Sequence, residues 1–251
     1  MRAKGELRVW RNDDRRVFEV ASVRLTTSDQ PWAFAREARD AINAHWITRK
    51  QEKPSFFNGA VVILASYEVT AEHCLDARFV RTDFKSFLFW RESGWPDRTV
   101  MDAFGSALIF SADGKLLLGK QRDGHLNGGL WYPPSGFIDA SDVTADGAID
   151  IDHSVRREID EELGLGPDQL QRRPGYVVTL TGPVLSIGVP FEARLADTDL
   201  MAFIDRHIAA DATAELASAR LLFPGADTAQ IAMPDYTRTL IANLPALKSL
   251  A

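Results

Sequence analysis

The chain has 251 residues, 45% of them hydrophobic and 25% charged, the balance of a folded globular protein and not of a disordered one. Its 29 Lys and Arg stand against 35 Asp and Glu, a net charge of −6, and no segment forms a cationic stripe, which speaks against binding to nucleic acid or a membrane surface. The longest apolar run, residues 60–65, falls far short of the roughly 20 residues that span a bilayer; with no apolar stretch of secretory length near the N-terminus, a cytoplasmic location is the expectation.

Alternating apolar residues at 6–10 and 16–21, separated by polar Arg11, Asn12, Asp13 and Asp14, predict an opening β-hairpin. Over residues 31–51 the period changes: Trp32, Phe34, Ala35, Ala38, Ile42 and Trp46 recur at helical steps, with Ser28 or Asp29 placed to cap. Strands are expected at 61–69 and 75–80, then a helical aromatic stretch from Phe84 to Trp90. Cys74, the lone thiol, can form no internal disulfide and reads as a small buried residue.

Turn residues Gly94, Pro96 and Asp97 mark the midpoint. Beyond them, strands at 103–110 and 116–120 flank a Ser111-Ala112-Asp113-Gly114 turn. A Gly- and Pro-rich tract at 124–136 leads to a helix over 151–163, capped by Asp150 and stopped by Gly164 and Pro167. Strands at 176–180 and 184–195 follow, and helices over 199–219 and 235–250 close the chain. The expectation is an α+β unit over residues 1–98, packed on a second domain over 99–251.

The chemistry concentrates in Arg157-Glu158-Ile159-Asp160-Glu161-Glu162-Leu163-Gly164-Leu165. Steps of three and four from Glu158 reach Glu161 and Glu162, so a helix projects three carboxylates from one face. Such like charges repel unless a cation neutralises them, and hard divalent cations favour these oxygen ligands. A solvated acidic face is the plain alternative. His153 reads as an exposed first-turn residue, not a ligand.

These nine residues match the latter half of the Nudix box at five fixed identities and two apolar positions, and the chain resembles the Nudix hydrolase family. The upstream half departs from the pattern. Gly136 is followed after five residues by Asp142 where the family has glutamate, and the span from Gly136 to Arg157, 21 positions, is seven longer than the pattern's. Asp142 is therefore expected to matter less than Glu161, and Asp142→Glu to be tolerated. Trp46, Thr48, Arg49, Pro54, Phe57, Asn58, Phe84, Lys85, Phe87 and Leu88 further resemble the UDP-glucose/UDP-galactose pyrophosphatase branch, although Trp46, Phe57 and Phe87 would each also suit a core.

The resemblance implies an α/β/α sandwich with a mixed sheet, α+β in class, preceded by an N-terminal extension. It further implies Mg2+, or Mn2+ in its place, held by Glu158, Glu161, Glu162 and the Gly136 carbonyl. Arg157 would fix a glutamate rotamer, and Glu158 or Glu162 would act on the attacking water, although family members also recruit bases from loops outside the helix. Lys120 and Arg122 could approach phosphate, or be ordinary strand-end charges. Trp131, Tyr132 and Phe137 could stack a base, or be core aromatics.

The expected reaction is hydrolysis of a nucleoside diphosphate derivative, with UDP-sugars as first guess. ADP-ribose, dinucleotides or capped RNA are alternative substrates. A nucleotide-sensing domain without catalysis is the alternative of another class, and an isomerase on the same fold would need further catalytic residues. A small-molecule nucleotide is the expected partner, and a homodimer is compatible with all of these readings.

Overall fold

The computed structural model describes residues 9–211 and 214–247. Strand β1 (Arg15–Val20) lies at the edge of a large sheet, while β2 (Ser22–Ser28), immediately after it, begins a small one. The small sheet has the order β2-β4-β3, formed with β3 (Ala60–Val69) and β4 (Cys74–Asp83). Helices α1 (Ala33–Glu37), α2 (Arg39–Glu52) and α3 (Phe84–Glu92) accompany it. Asp83 starts α3 by accepting a hydrogen bond from the Ser86 N–H at 3.1 Å. Phe87 and Trp90 then bury their rings with Trp32, Val61 and Ile63.

The large sheet runs β1-β10-β11-β5-β6-β12. Its other principal strands are β5 (Asp102–Phe110), β6 (Leu116–Gln121), β10 (Tyr176–Thr181), β11 (Val184–Ala193) and β12 (Leu216–Leu222). Short β7 (Trp131–Tyr132), β8 (Ser135–Gly136) and β9 (Leu170–Arg172) pair with β6, β5 and β11. The β5–β11 pair is parallel and its neighbours antiparallel, so the sheet is mixed. Side-chain alternation divides the core. Ala107, Ile109 and Leu117 join α4 (Ile151–Leu163) and α5 (Asp197–Ala210) on one face, and Leu108, Leu116 and Leu118 join α6 (Asp235–Asn243) on the other. This is the expected α/β/α sandwich.

Strands β5 and β6 are paired in register only at Phe110 and Leu116. Beyond that point they splay, with β7 on β6 and β8 on β5. The gap opens a cavity of about 800 Å³ between the segment 124–141 and the N-terminal elements.

Several expectations need correction. Residues 6–8 of the predicted hairpin lie outside the described residues, and Val9 and Trp10 are not in a strand; β1 pairs instead with β10. Trp10 is buried, its indole N–H donating to the Val100 carbonyl at 2.8 Å. The helix expected over 31–51 breaks at Ala38 into α1 and α2, and Trp32, not Ser28 or Asp29, occupies the N-cap position. The helix expected over 199–219 ends at Ala210. Its last part, rich in helix-favouring Ala, Glu and Leu, pairs with β6 as β12, because ladder pairing outweighs local propensity. Helix α6 stops at Asn243 and yields to a 3₁₀ turn, Leu244–Ala246, containing Pro245; residues 248–250 of the predicted helix lie outside the described residues.

Candidate active site

Helix α4 begins as expected, Asp150 accepting from the His153 N–H at 2.9 Å, and ends at Gly164 in the left-handed region, φ 66°. Its acidic residues occupy different environments. Glu161 is 60% exposed, Glu158 is turned toward Gly136, and Glu162 is 4% exposed. Both Glu162 carboxylate oxygens are buried without a hydrogen-bond partner. Burial, then the charges of Glu158, Glu215 and Glu161, push Glu162 well above the usual carboxylate range. Burial likewise pushes Glu158 up to about 7, against the pull of Arg157.

Arg157 gathers the surrounding carboxylates. Its Nη1 lies 2.8 Å from Glu158 Oε1 and 3.7 Å from Glu161 Oε2, and its Nη2 lies 3.2 Å from Asp142 Oδ2 and 3.8 Å from Asp139 Oδ2. The expectation for Asp142 is thereby revised. Its side chain is fully buried, and it also accepts from the Asp139 N–H at 3.0 Å in a reciprocal cap. The seven additional positions do not carry it away. Residues 143–149 close as a small hairpin, Val143 bridging Ile149, with the Thr144 N–H donating to the Ala148 carbonyl. That hairpin docks on β2, where the Ile149 N–H meets the Leu25 carbonyl and the Thr27 N–H meets the Gly147 carbonyl.

Glu215 is the residue that the sequence reading missed. It lines the cavity, and its charge acts on Glu158, Glu162 and Tyr132. Arg122 positions it. The Arg122 N–H donates to the Glu215 carbonyl at 2.7 Å, and its guanidinium donates to the carbonyls of Ala214 and Leu216 at 2.7 and 3.1 Å. Arg122 therefore clips this loop through its Nε and Nη2.

The other proposed substrate contacts separate by strand parity. Gln121 and Tyr132 line the cavity. Lys120 and its cross-strand partner Trp131 alternate to the opposite face, where Trp131 packs on the α6 cluster under the Arg220 guanidinium, 4.5 Å from its ring centre. Phe137 lines the cavity while meeting Phe84 and Phe87 edge-on at 5.8 and 5.0 Å. Phe57, suited on sequence to a core, is 81% exposed at the cavity mouth. Arg91 of α3 also reaches the cavity and donates to Asn127 Oδ1 at 2.6 Å. His153 is exposed and Cys74 buried, both as read from sequence.

Among the described residues no three His, Cys, Asp or Glu side chains already converge as a metal cage. The donors nonetheless fit a hard cation. Glu162 offers two buried oxygens with no protein partner, which is costly unless a charge arrives. A Cβ on Gly136 would stand 2.2 Å from Glu158 Oε1, so a side chain there would push that carboxylate out of its present place.

Comparison with known proteins follows this geometry. Residues 101–190 match the NUDIX domain. This segment is a NUDIX domain. It contains Gly136, Asp142, Arg157 and the three α4 glutamates, whereas Glu215 lies beyond its matched end. An RNA pyrophosphohydrolase from Gluconacetobacter diazotrophicus is 38% identical over 63 residues, 23% of this chain and 34% of that protein. The chain thus matches about a third of that relative's length. A NUDIX hydrolase from Nitrosomonas europaea superposes with a TM-score of 0.39 at 14% identity, covering 58% of this chain and 89% of that one. A C. elegans Ap4A hydrolase binary complex gives 0.40 at 16% identity, covering 57% and 96%. No described helix is long and apolar enough to cross a membrane.

Proposed function

We propose that the chain is a Nudix hydrolase, dependent on Mg2+ or Mn2+, that cleaves the diphosphate of a nucleoside diphosphate derivative, with nucleotide sugars such as UDP-glucose as the leading substrates. The observation that carries this reading is the buried, unpartnered carboxylate of Glu162 beside Glu158 and Gly136. Such an arrangement is expensive to fold and is useful when a cation completes it. The cation would be held by Glu158, Glu161, Glu162 and the Gly136 carbonyl. Bound there, it would neutralise diphosphate charge and ease attack by water.

The chain's own groups supply the rest. Arg157 holds Glu158 in place, with Asp142 and Asp139 behind it. Glu215 is free of the Arg157 network and lies on the cavity wall, so it joins Glu158 and Glu162 as a base able to take the water proton. Water oxygen bonds to one phosphorus as the bridging P–O bond breaks, leaving one phosphate on each product: UMP and glucose 1-phosphate from UDP-glucose. Tyr132 and Phe137 border the cavity, whose size suits a nucleotide derivative. Residues 1–98, read as a unit packed on a hydrolase domain over 99–251, contribute the far wall.

A second reading, action on the 5′ end of RNA, draws on the identity with the RNA pyrophosphohydrolase. The net charge of −6 favours a small substrate over a polyanion. The deciding experiment incubates purified protein and Mg2+ with UDP-sugars, ADP-ribose, dinucleotides and triphosphorylated RNA, and identifies the released phosphates. UMP from UDP-glucose is expected. Turnover of RNA alone would replace the substrate class, and turnover of nothing, with tight nucleotide binding, would make the chain a sensor.

A further inference from the structure

The cavity has a second polar end that the hydrolytic chemistry does not use. Asp102, at the start of β5, lines it together with Phe104, Val184, Pro234 and Tyr236. Phe104 and Tyr236 meet edge-on at 5.2 Å, so the carboxylate sits in a largely apolar recess. Its backbone N–H is satisfied by the Pro183 carbonyl at 2.8 Å. Burial pushes the carboxyl up to about 6, and the Arg91 charge offsets this only in part; that guanidinium donates to Asn127 Oδ1. The Tyr236 hydroxyl lies among the hydroxyls of Thr237, Ser135 and Ser106 and feels the Asp102 charge. The recess thus holds an acceptor whose desolvation the protein's own donors leave uncompensated.

We propose that Asp102 is a specificity residue that accepts hydrogen bonds from vicinal hydroxyls of the sugar attached beyond the diphosphate. This rests on reading the chain as a nucleoside diphosphate hydrolase. The placement suits the role. Gly105 pairs with Gly136, so Asp102 lies three residues, or about 10 Å, along β5 from the position opposite Gly136; its side chain takes the Phe104 and Tyr236 side of the strand and reaches the same cavity that Gly136 and Glu215 line. The chemistry selects hydroxyls over a pyrimidine edge. A diol presents two donors to the two carboxylate oxygens, whereas the imide edge of uracil presents one donor between two carbonyls and sets an acceptor against the second oxygen. The apolar rings of Phe104 and Tyr236 would lie against the C–H face of the sugar.

The test measures equilibrium binding by calorimetry, without added metal, for the full chain and for Asp102→Ala and Asp102→Asn. The probes are two pairs, UDP-glucose with UDP and ADP-ribose with ADP. Asp102→Ala is expected to weaken UDP-glucose at least tenfold while UDP changes less than twofold, with Asp102→Asn between. The same pattern confined to the ADP-ribose pair would assign the diol to ribose. Equal weakening of sugar-bearing and sugar-free nucleotides, or no weakening of either sugar nucleotide in a variant whose circular dichroism matches the parent, overturns the proposal. Hydrolysis of the same compounds is assayed separately. A protein that shows the binding pattern and hydrolyses none of them keeps the subsite and loses the enzymatic reading; one that hydrolyses UDP-glucose without the pattern does the reverse.

Discussion

Arg157 Nη2 lies 3.2 Å from the fully buried Asp142 Oδ2, and that contact ties the enlarged loop to α4. Asp142 is near to Arg157 because residues 143–149 fold back on themselves and fasten to β2. The N-terminal sheet thus holds the loop through Leu25 and Thr27, and Arg157 joins Asp139 and Asp142 of the loop to Glu158 and Glu161 of α4.

Asp142→Asn removes one partner of a buried charge pair while Arg157 keeps partial access to solvent, which places the cost at about 1–3 kcal/mol. Asp142→Glu adds a methylene where the side chain has no free surface and should cost about 1–3 kcal/mol through overpacking. Urea unfolding of both variants reads this directly. Equal stability of Asp142→Glu and the parent would restore the looser role read from sequence.

Glu162→Gln replaces a carboxyl that the metal-free protein buries without a partner. The variant is expected to melt higher than the parent without metal, by a shift worth about 1 kcal/mol, yet to lose at least ~10²-fold in turnover. Mg2+ should raise the melting temperature of the parent more than that of the variant. A variant that melts lower and still turns over would make this carboxylate a structural group.

Glu215→Gln should leave stability within about 0.5 kcal/mol, as for other exposed positions, while lowering kcat by about 10²–10⁴-fold if it serves as the base. Arg122→Ala frees the carbonyls of Ala214 and Leu216 and should lower kcat through the loop, with partial rescue by Arg122→Lys. Unchanged pH–rate profiles in Glu215→Gln would return the base to α4.

Removal of residues 1–99 takes β1 from the edge of the large sheet, and the Leu25 carbonyl and Thr27 N–H of β2 from the 143–149 hairpin. The exposed β10 edge and the uncovered cavity wall should yield an aggregated product, measured by size-exclusion chromatography. A monodisperse fragment with full turnover of UDP-glucose would separate the two units.

The sequence was legible where local chemistry decides the outcome. Helix α4 follows from Asp150, the apolar period and Gly164, and the clustering of its glutamates follows from the 3.6-residue turn. What was hidden depends on contacts between distant residues. Glu215 sits in a segment whose composition favours helix, and only pairing of β12 with β6 makes it a strand with Glu215 at its threshold. Lys120 and Trp131 lie in the right segment, but parity sends them to the other face. The return of Asp142 requires β2, a strand that the periodicity of residues 22–28 does not announce.

Asp102 gives the pH dependence its sign. Its folded carboxyl titrates near 6 against a usual value of 3.8, so the folded state holds the proton more tightly than the unfolded chain. The stability this contributes is present below the unfolded value and is lost as pH rises through about 6. With discounting for partial access to the cavity, the parent should lose about 1–2 kcal/mol over that window from this group. Asp102→Asn carries no such titration, so the difference in unfolding free energy between variant and parent should grow in favour of the variant from pH 4 to pH 8. Urea titrations at half-unit intervals read the difference. A pH-independent difference would mean that Asp102 is well solvated, and would remove the desolvated acceptor on which sugar selectivity depends; a difference growing in the opposite direction would mean that a cation pairs with it in the folded protein.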